Sequence, residues 1–414
     1  MSEWKEYKLS DFIDINPKVT LKSGSKHSFV EMKDLNESQK FVLPSQLKEV
    51  KGGARFQNFD TLFARITPCL QNGKISQVKG LENSIGFGST EFLVFRGKES
   101  ISNTDFVYYL SRYDVVRKFA EQNMIGTSGR QRVSKDAFEN IELLLPSLPT
   151  QTAIAEILSS LDDKIELNNK INQELENLAQ TLFKRWFIDF EFPDENGNPY
   201  KSSGGEMVDS ELGEIPKGWE VFKIGEVLDL VSGYPFKGES FSKDGNYGIV
   251  TIKNVQDGLF VEQIDNYIDK LPNKFPANIR LTVGDILMSL TGNVGRVCYV
   301  TSDNCLLNQR VVKFNSVQEN ANAFWYYYFR QNVIKDLLIS ISKGTAQLNL
   351  SPVETKLLKC KLPRIIAPNI LSAFDVLFRK QIECSMANKN LCNLRNTLLP
   401  KLISGELEVN QTLN

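Results

Sequence analysis

Along one mid-chain stretch, residues recur on a single face in alternate steps of four and three: Ile154, Leu158, Leu161, Ile165, Asn168, Asn172, Leu175, Ala179, Leu182 and Trp186. That spacing predicts an amphipathic helix with a narrow buried seam, from about Gln151 to Phe187 and roughly 55 Å long. The seam is apolar at both ends and amide at its centre. Two placements of Asn168 and Asn172 fit it. They form a buried polar layer, which costs stability but penalises slipped registers, or a gently rotated helix turns them to solvent. A second helical period runs from about Pro368 to Ile403 and stops near Gly405. Ahead of each helix lie short β-branched and aromatic runs, such as "EFLVF" (91–95) and "RVVKF" (310–314), broken by Gly, Asn and Asp turns. Proline signals then close each block, "LLLPSLP" in the first and "CKLPRIIAP" in the second.

The two halves of this pattern repeat each other. "WKEYKLSDFIDI" at 4–15 lies over "WEVFKIGEVLDL" at 219–230 at an offset of 215, and "FVYYL" at 106–110 over "FWYYY" at 324–328 at 218. From Ser134 over Ser351 the offset settles at 217 and needs no gap as far as Lys184 over Lys401. Several matches in one order, ending in a long gapless stretch, identify a tandem duplication. The expected architecture is α+β: two pseudo-symmetric α/β globular domains joined by two long antiparallel coiled-coil-like helices. The expected boundaries are a first globular domain at 1–150, a central helix at 151–187, a Pro/Gly/Ser-rich connector at 188–217, a second globular domain at 218–365, and a distal helix with tail at 366–414. At the 217 offset Asn168 and Asn172 correspond to Ser385 and Lys389, so the second seam is polar at its middle too.

Composition alters this picture at one point. The chain is 41% hydrophobic and 24% charged, an ordinary soluble balance. No apolar run reaches the roughly 18 residues of a membrane span, and the start has no signal-peptide pattern, so a cytoplasmic protein is expected. Six cysteines without paired spacing and a single histidine argue for reduced thiols and against a zinc site. Net charge is −1, but it is unevenly spread. Residues 1–150 hold 21 Lys+Arg against 18 Asp+Glu and 218–365 hold 17 against 14, while 151–217 hold 6 against 14. Two mildly basic blocks therefore flank an acidic segment, which makes a polyanionic partner plausible for the blocks alone.

Four stretches carry a resemblance to a known family: "LPSLPTQTAIAEILSSLDDKIELNN", "RWFIDFEFPDENGNPYKSSGGEMVDSELGEIPKGW", "ARITPCLQNGKI" and "LRNTLLPKLISGELEV". In these and in its order of blocks and helices, the chain resembles the specificity subunit of type I restriction-modification systems over nearly its whole length. The resemblance implies a non-catalytic reader of double-stranded DNA, each block recognising one half of an asymmetric, split target. The helices would space the halves and dock two methyltransferase subunits, and motor-nuclease subunits would complete the restriction complex. S-adenosylmethionine, ATP and Mg would then belong to those partners, with no cofactor on this chain. The acidic, helical 151–217 segment and the distal helix are the expected docking surface, with Glu166, Glu174 and Glu176 on an outward face.

Two other classes compete with this reading, an enzyme that methylates or cleaves DNA itself and a helical adaptor without DNA binding. "NPY" at 198–200 lacks the second proline of an amino-methyltransferase site, and "TPC" at 67–69 has only the Pro-Cys pair of cytosine methyltransferases. Neither is accompanied by a glycine-rich cofactor turn, and no GxxxxGK(S/T) loop occurs. The best local candidates for DNA contact are "GTSGRQRVS" at 126–134, offering Thr127, Arg130, Gln131 and Arg132, and its counterpart "GTAQLNLS" at 344–351, offering Thr345, Gln347 and Asn349. Arginine suits guanine, and Gln or Asn suits adenine. A second pair of turns places Arg65, Thr67, Asn72 and Lys74 roughly over Ser289, Thr291, Asn293 and Arg296, small, polar and basic residues suited to phosphate. Ordinary surface turns explain both sets of residues equally well. The run "FWYYYFR" at 324–330 reads as helical core rather than as a base-stacking platform.

Overall fold

A computed structural model describes residues 4–127, 129–272, 275–344 and 347–409. The chain divides into two compact units, one made of the described residues up to Asn168 together with those from Ala387, the other of Asn169–Met386. Each long helix thus contributes one half to each unit.

In the first unit, strand Phe92–Gly97 pairs antiparallel with Ile13–Ile15 on one side and Thr61–Ala64 on the other. Ile75–Val78 and Phe41–Val42 complete this sheet. Thr61–Ala64 and Ile75–Val78 are buried at every position, as strands covered on both faces should be. A second sheet runs Gln46–Glu49, Lys26–Val30, Ile85–Gly88, Ala54–Gln57, its middle pair parallel. Helix Thr104–Arg112 packs beside the first sheet, its N-terminus capped by the Asn103 side chain accepting from Phe106 N–H.

The second unit has the same plan. Leu228–Ser232, Val311–Ser316, Ile286–Ser289 and Val297–Tyr299 form one antiparallel sheet. Tyr267–Ile268, Tyr247–Val250, Cys305–Leu307 and Arg280–Leu281 form the other, again with a parallel middle pair. The duplicated sequence therefore folds into duplicated topology. "FWYYYFR" lies on helix Asn322–Phe329, whose aromatic side chains are all buried, so the run is core. None of the six cysteines is in a disulfide.

The central helix spans Leu148–Phe183, three residues earlier than expected, because Pro149 sits in its first turn where a missing N–H costs nothing. One π-helical turn, Lys184–Ile188, ends it. The distal helix spans Pro368–Ile403 as expected, and Gly405 follows with a φ of +77°. In the first unit their segments run antiparallel: Ile154 and Leu158 share a core with Leu399, Leu402 and Ile403. Between these apolar residues and the amide layer, Arg395 donates to Asp162 at 2.5 Å.

The asparagines are turned inward. Asn168 is 3% exposed and donates to Asn388 Oδ1 at 2.8 Å, all within the first unit. In the second unit Asn172 donates to Ser385 Oγ at 3.1 Å, and Ser385 meets the Tyr299 hydroxyl at 2.8 Å. Beyond Ala179 the buried track steps in fours to Phe183 and Phe187 rather than following Leu182 and Trp186, which are only half-buried. The connector is not structureless. Phe192 stacks between Tyr200 at 4.6 Å and Trp219 at 5.4 Å, and Met207–Val208 pairs with Ile215–Pro216. "NPY" lies in the turn that begins this stretch, Asn198 N–H donating to Asp194.

Candidate nucleic-acid interface

In the first unit the two sequence candidates meet. Arg132 forms isolated β-bridges to both Ile66 and Ile125, Val133 N–H donates to Arg65 C=O at 2.9 Å, and Thr67 N–H to Gln131 C=O at 3.0 Å. Glu91, just ahead of strand Phe92–Gly97, clamps the junction. Arg132 reaches its carboxylate through Nε at 2.9 Å and Nη2 at 2.7 Å, and Arg65 Nε lies 3.4 Å away. Arg132 foremost, helped by Arg65, holds the Glu91 carboxyl below the usual carboxylate range against the opposing effect of partial burial. Thr67 is nearly buried, its hydroxyl accepting from Gln131 N–H, and Lys74 is tied to Met32 C=O. Gln131 and Arg132 are half-buried, whereas Asn72, Thr127 and Arg130 are exposed. The Arg130 guanidinium has no partner among the described residues. Gly126 is required beside it, because with φ +135° a Cβ would stand 2.9 Å from Arg130 O.

Sequence reasoning missed the surface next to this junction. An open groove of about 440 Å³ is lined by Lys18, Gly53, Arg55, Arg65 and Thr90 among others. It shares Gly53 and Thr90 with a second groove of about 670 Å³ that carries Lys26, Lys48 and Lys51. Lys48 is paired with Glu31, and Glu49 lines the second groove in register with Lys26, but Lys18, Lys26, Lys51 and Arg55 are exposed and none forms an ion pair among the described residues. A cationic concave wall of this kind suits a phosphate backbone. In sequence these cations are scattered over 18–55 with no period. The parallel pairing of Lys26–Val30 with Ile85–Gly88, and Gly53, whose Cβ would meet Gly88 O at 2.0 Å, assemble the wall.

The second unit repeats the junction with other side chains. Asn349 bridges to Thr291 and to Lys343, Gly292 N–H donates to Leu348 C=O at 2.9 Å, and Leu350 N–H to Leu290 C=O at 2.8 Å. Asn349 thus occupies the place of Arg132. The backbone pairs correct the alignment of the turns. Leu290 donates to Arg310 as Arg65 does to Glu91, so Arg65 matches Leu290 and Thr67 matches Gly292, one residue on from the sequence match. Lys74 and Arg296 do correspond, since they accept from Ala64 and Ser289 respectively.

Several expected donors are spent inside the fold. Ser289 is buried and donates to Asn293 C=O at 2.6 Å, Thr291 is buried against Asn349, and Arg296 is engaged by Gln256. Their short turns consume the hydroxyls that the sequence offered to phosphate. Asn293 and Gln347 are exposed, and Thr345 lies outside the described residues. Glu176 also departs from expectation. It faces inward, accepting from Arg330 Nε at 2.9 Å and Gln381 Nε2 at 3.1 Å, while Glu166 pairs with Lys79. No group of three or more potential metal ligands is found among the described residues.

The family model for the type I restriction modification DNA specificity domain matches residues 1–177 and again 216–384. The chain is 26% identical to the type I restriction enzyme HindI specificity subunit of Haemophilus influenzae, over 98% of this chain and 100% of that protein. It is 25% identical to the EcoAI specificity subunit of Escherichia coli, over 91% and 77%. Among solved structures it is similar to the S subunit of a type I restriction-modification system from M. genitalium, with a TM-score of 0.49 and 15% identity over 99% and 97% of the chains. Two matched repeats that cover most of the chain, each built on the same sheets and the same loop junction, place it in the family of type I restriction-modification specificity subunits.

Proposed function

We propose that this chain reads a bipartite, asymmetric sequence in double-stranded DNA, one half-site per repeat, for a type I restriction-modification complex. The observation that carries the reading is the repeated junction with unlike side chains: Arg132, Glu91 and Arg65 in one unit, Asn349, Arg310 and Leu290 at the matching places in the other. A common frame with different polar tips is what two different half-sites require. Arg130, Gln131 and Thr127, with Lys18 and Arg55 from the groove, serve the first half. Gln347 and Asn293 serve the second. The long helices fix the spacing between halves and dock two methyltransferase subunits, to which motor-nuclease subunits add. S-adenosylmethionine, ATP and Mg act on those partners, and this chain supplies recognition only. No helix among the described residues is long and apolar enough to cross a membrane. The proposed place of action is the cytoplasm, where the DNA and the partner subunits are.

A gel shift with the chain alone and with co-expressed methyltransferase subunits tests the reading. Specific, salt-sensitive binding by the complex supports it. Methylation or cleavage by the isolated chain would favour an enzyme, and no DNA binding in either form would favour an adaptor.

A further inference from the structure

The duplicated junctions differ most sharply in charge at one position. Glu91 and Arg310 each stand immediately before an inner strand of their sheet, second from its edge, and each accepts a backbone hydrogen bond at 3.0 Å from the facing strand end. In the first unit that position is a carboxylate that neutralises Arg132 and draws on Arg65. In the second it is an exposed arginine, and no carboxylate faces it among the described residues.

Arg310 is not a loose surface side chain. Its Nη1 donates to Thr291 Oγ1 and to Asn349 Oδ1, both at 3.3 Å. Asn349 is itself fixed, because Thr291 Oγ1 donates to the same oxygen at 3.1 Å and its own amide nitrogen donates to Gln347 C=O at 3.1 Å. With its Oδ1 already accepting from two donors, Asn349 has no free oxygen to pair with the amino group of an adenine. It holds Arg310 instead. One nitrogen of the guanidinium is anchored while Nε and Nη2 are left without a partner among the described residues. These two are parallel donors in a fixed plane, the pattern that matches O6 and N7 of guanine. Holding the plane in advance lowers the entropy lost when it docks.

We propose that Arg310 is a specificity-determining residue of the second repeat, reading a guanine in its half-site, with Asn349 and Thr291 as positioning residues. The inference rests on the DNA-reading function and adds which side chain reads and which only support it. No such reader stands at the matching place in the first repeat, where Glu91 occupies the strand position and Arg132 is already bound.

The test uses the complex of full chain and methyltransferase subunits on a panel of single-base variants of its own target, at two salt concentrations. Wild type, Arg310→Ala, Arg310→Lys and Asn349→Ala are compared. The expected result is that Arg310→Ala loses discrimination on the order of 10- to 100-fold at one G·C pair in one half-site and leaves the other half unchanged. Lysine should not restore it, since a point charge cannot form the fork. Asn349→Ala should weaken preference at that same pair, and the double variant should be no worse than Arg310→Ala. A uniform loss over all sequences with a shallower salt dependence, full rescue by lysine, or unchanged preference in Arg310→Ala would overturn the proposal while leaving the DNA-reading function standing. A wild-type complex that binds every variant equally would overturn both.

Discussion

Replacing Arg395 by methionine would leave the Asp162 carboxylate buried with the Tyr109 hydroxyl as its remaining bonded partner among those described. Both ionic side chains are only 2% exposed. Asp162 Oδ1 accepts from Arg395 at 2.5 Å and Oδ2 from Tyr109 at 2.6 Å, while Arg395 also reaches Ser38 C=O at 3.2 Å. Burial, and then the Asp162 charge, push the Tyr109 hydroxyl far above its ordinary range, so it stays a donor and cannot supply the missing positive charge. Breaking such a pair from one side costs about 3–5 kcal/mol, because an uncompensated charge remains in the interior. For a unit of this size that corresponds to a fall in melting temperature of roughly 6–20 °C. Asp162→Leu with Arg395→Met removes both charges and should recover more than half of the loss. Calorimetry of the full chain, with hydrogen exchange over residues 148–168 to assign the transition to the first unit, measures both effects. If Arg395→Met costs less than about 1 kcal/mol, or the double variant is worse than the single, the pair does not anchor the distal helix as argued.

Three further expectations follow from the same structure. Inserting one heptad in both helices, near Asn172 and Lys389, should lengthen the spacer between half-sites by roughly 10 Å, or about three base pairs, with the half-sites unchanged in the methylome. The Glu91 carboxyl has a lowered pKa, so its contribution to the junction is complete above the ordinary glutamate value of 4.5 and is lost as pH falls through the lowered one. Protection of the Thr67 and Val133 amides, measured relative to intrinsic exchange at each pH, should fall in that acid window, and Glu91→Gln should abolish the pH dependence of that protection. Glu176→Lys should cost several kcal/mol in thermal unfolding, since Glu176 and Arg330 have side chains only 14% and 11% exposed, whereas Glu174→Lys on the solvent side should stay within about 0.5 kcal/mol.

Much of the fold was legible because it is written locally. A helical seam needs only its own spacing, and the duplication shows wherever the two copies align without gaps, so Pro368–Ile403 emerged at its full length. The amide layer was legible too, although Asn168 meets Asn388, which the repeat does not align with it, and Asn172 meets Ser385, the repeat counterpart of Asn168. The site was less so. Ala64 to Lys74 spans three residues more than Ser289 to Arg296, and only the strand pairing shows where that difference falls, which is why Arg65 was matched one residue short. Glu91 and Arg310 carry no motif of their own. They become important because a loop more than thirty residues away in sequence docks on them, a contact that depends on register rather than residue type. The cations of the groove are hidden for the same reason. Scattered along the chain, they face one surface only after two parallel strands are joined.

The most direct measurement is the methylome of a host expressing this chain with its methyltransferase subunits. The expected result is a single motif of two unlike half-sites separated by a fixed run of unspecified bases. Arg310→Ala should then alter one half and Arg130→Ala the other. A continuous motif, a palindrome, or one substitution changing both halves would contradict a reader in which each repeat senses its own part of the target.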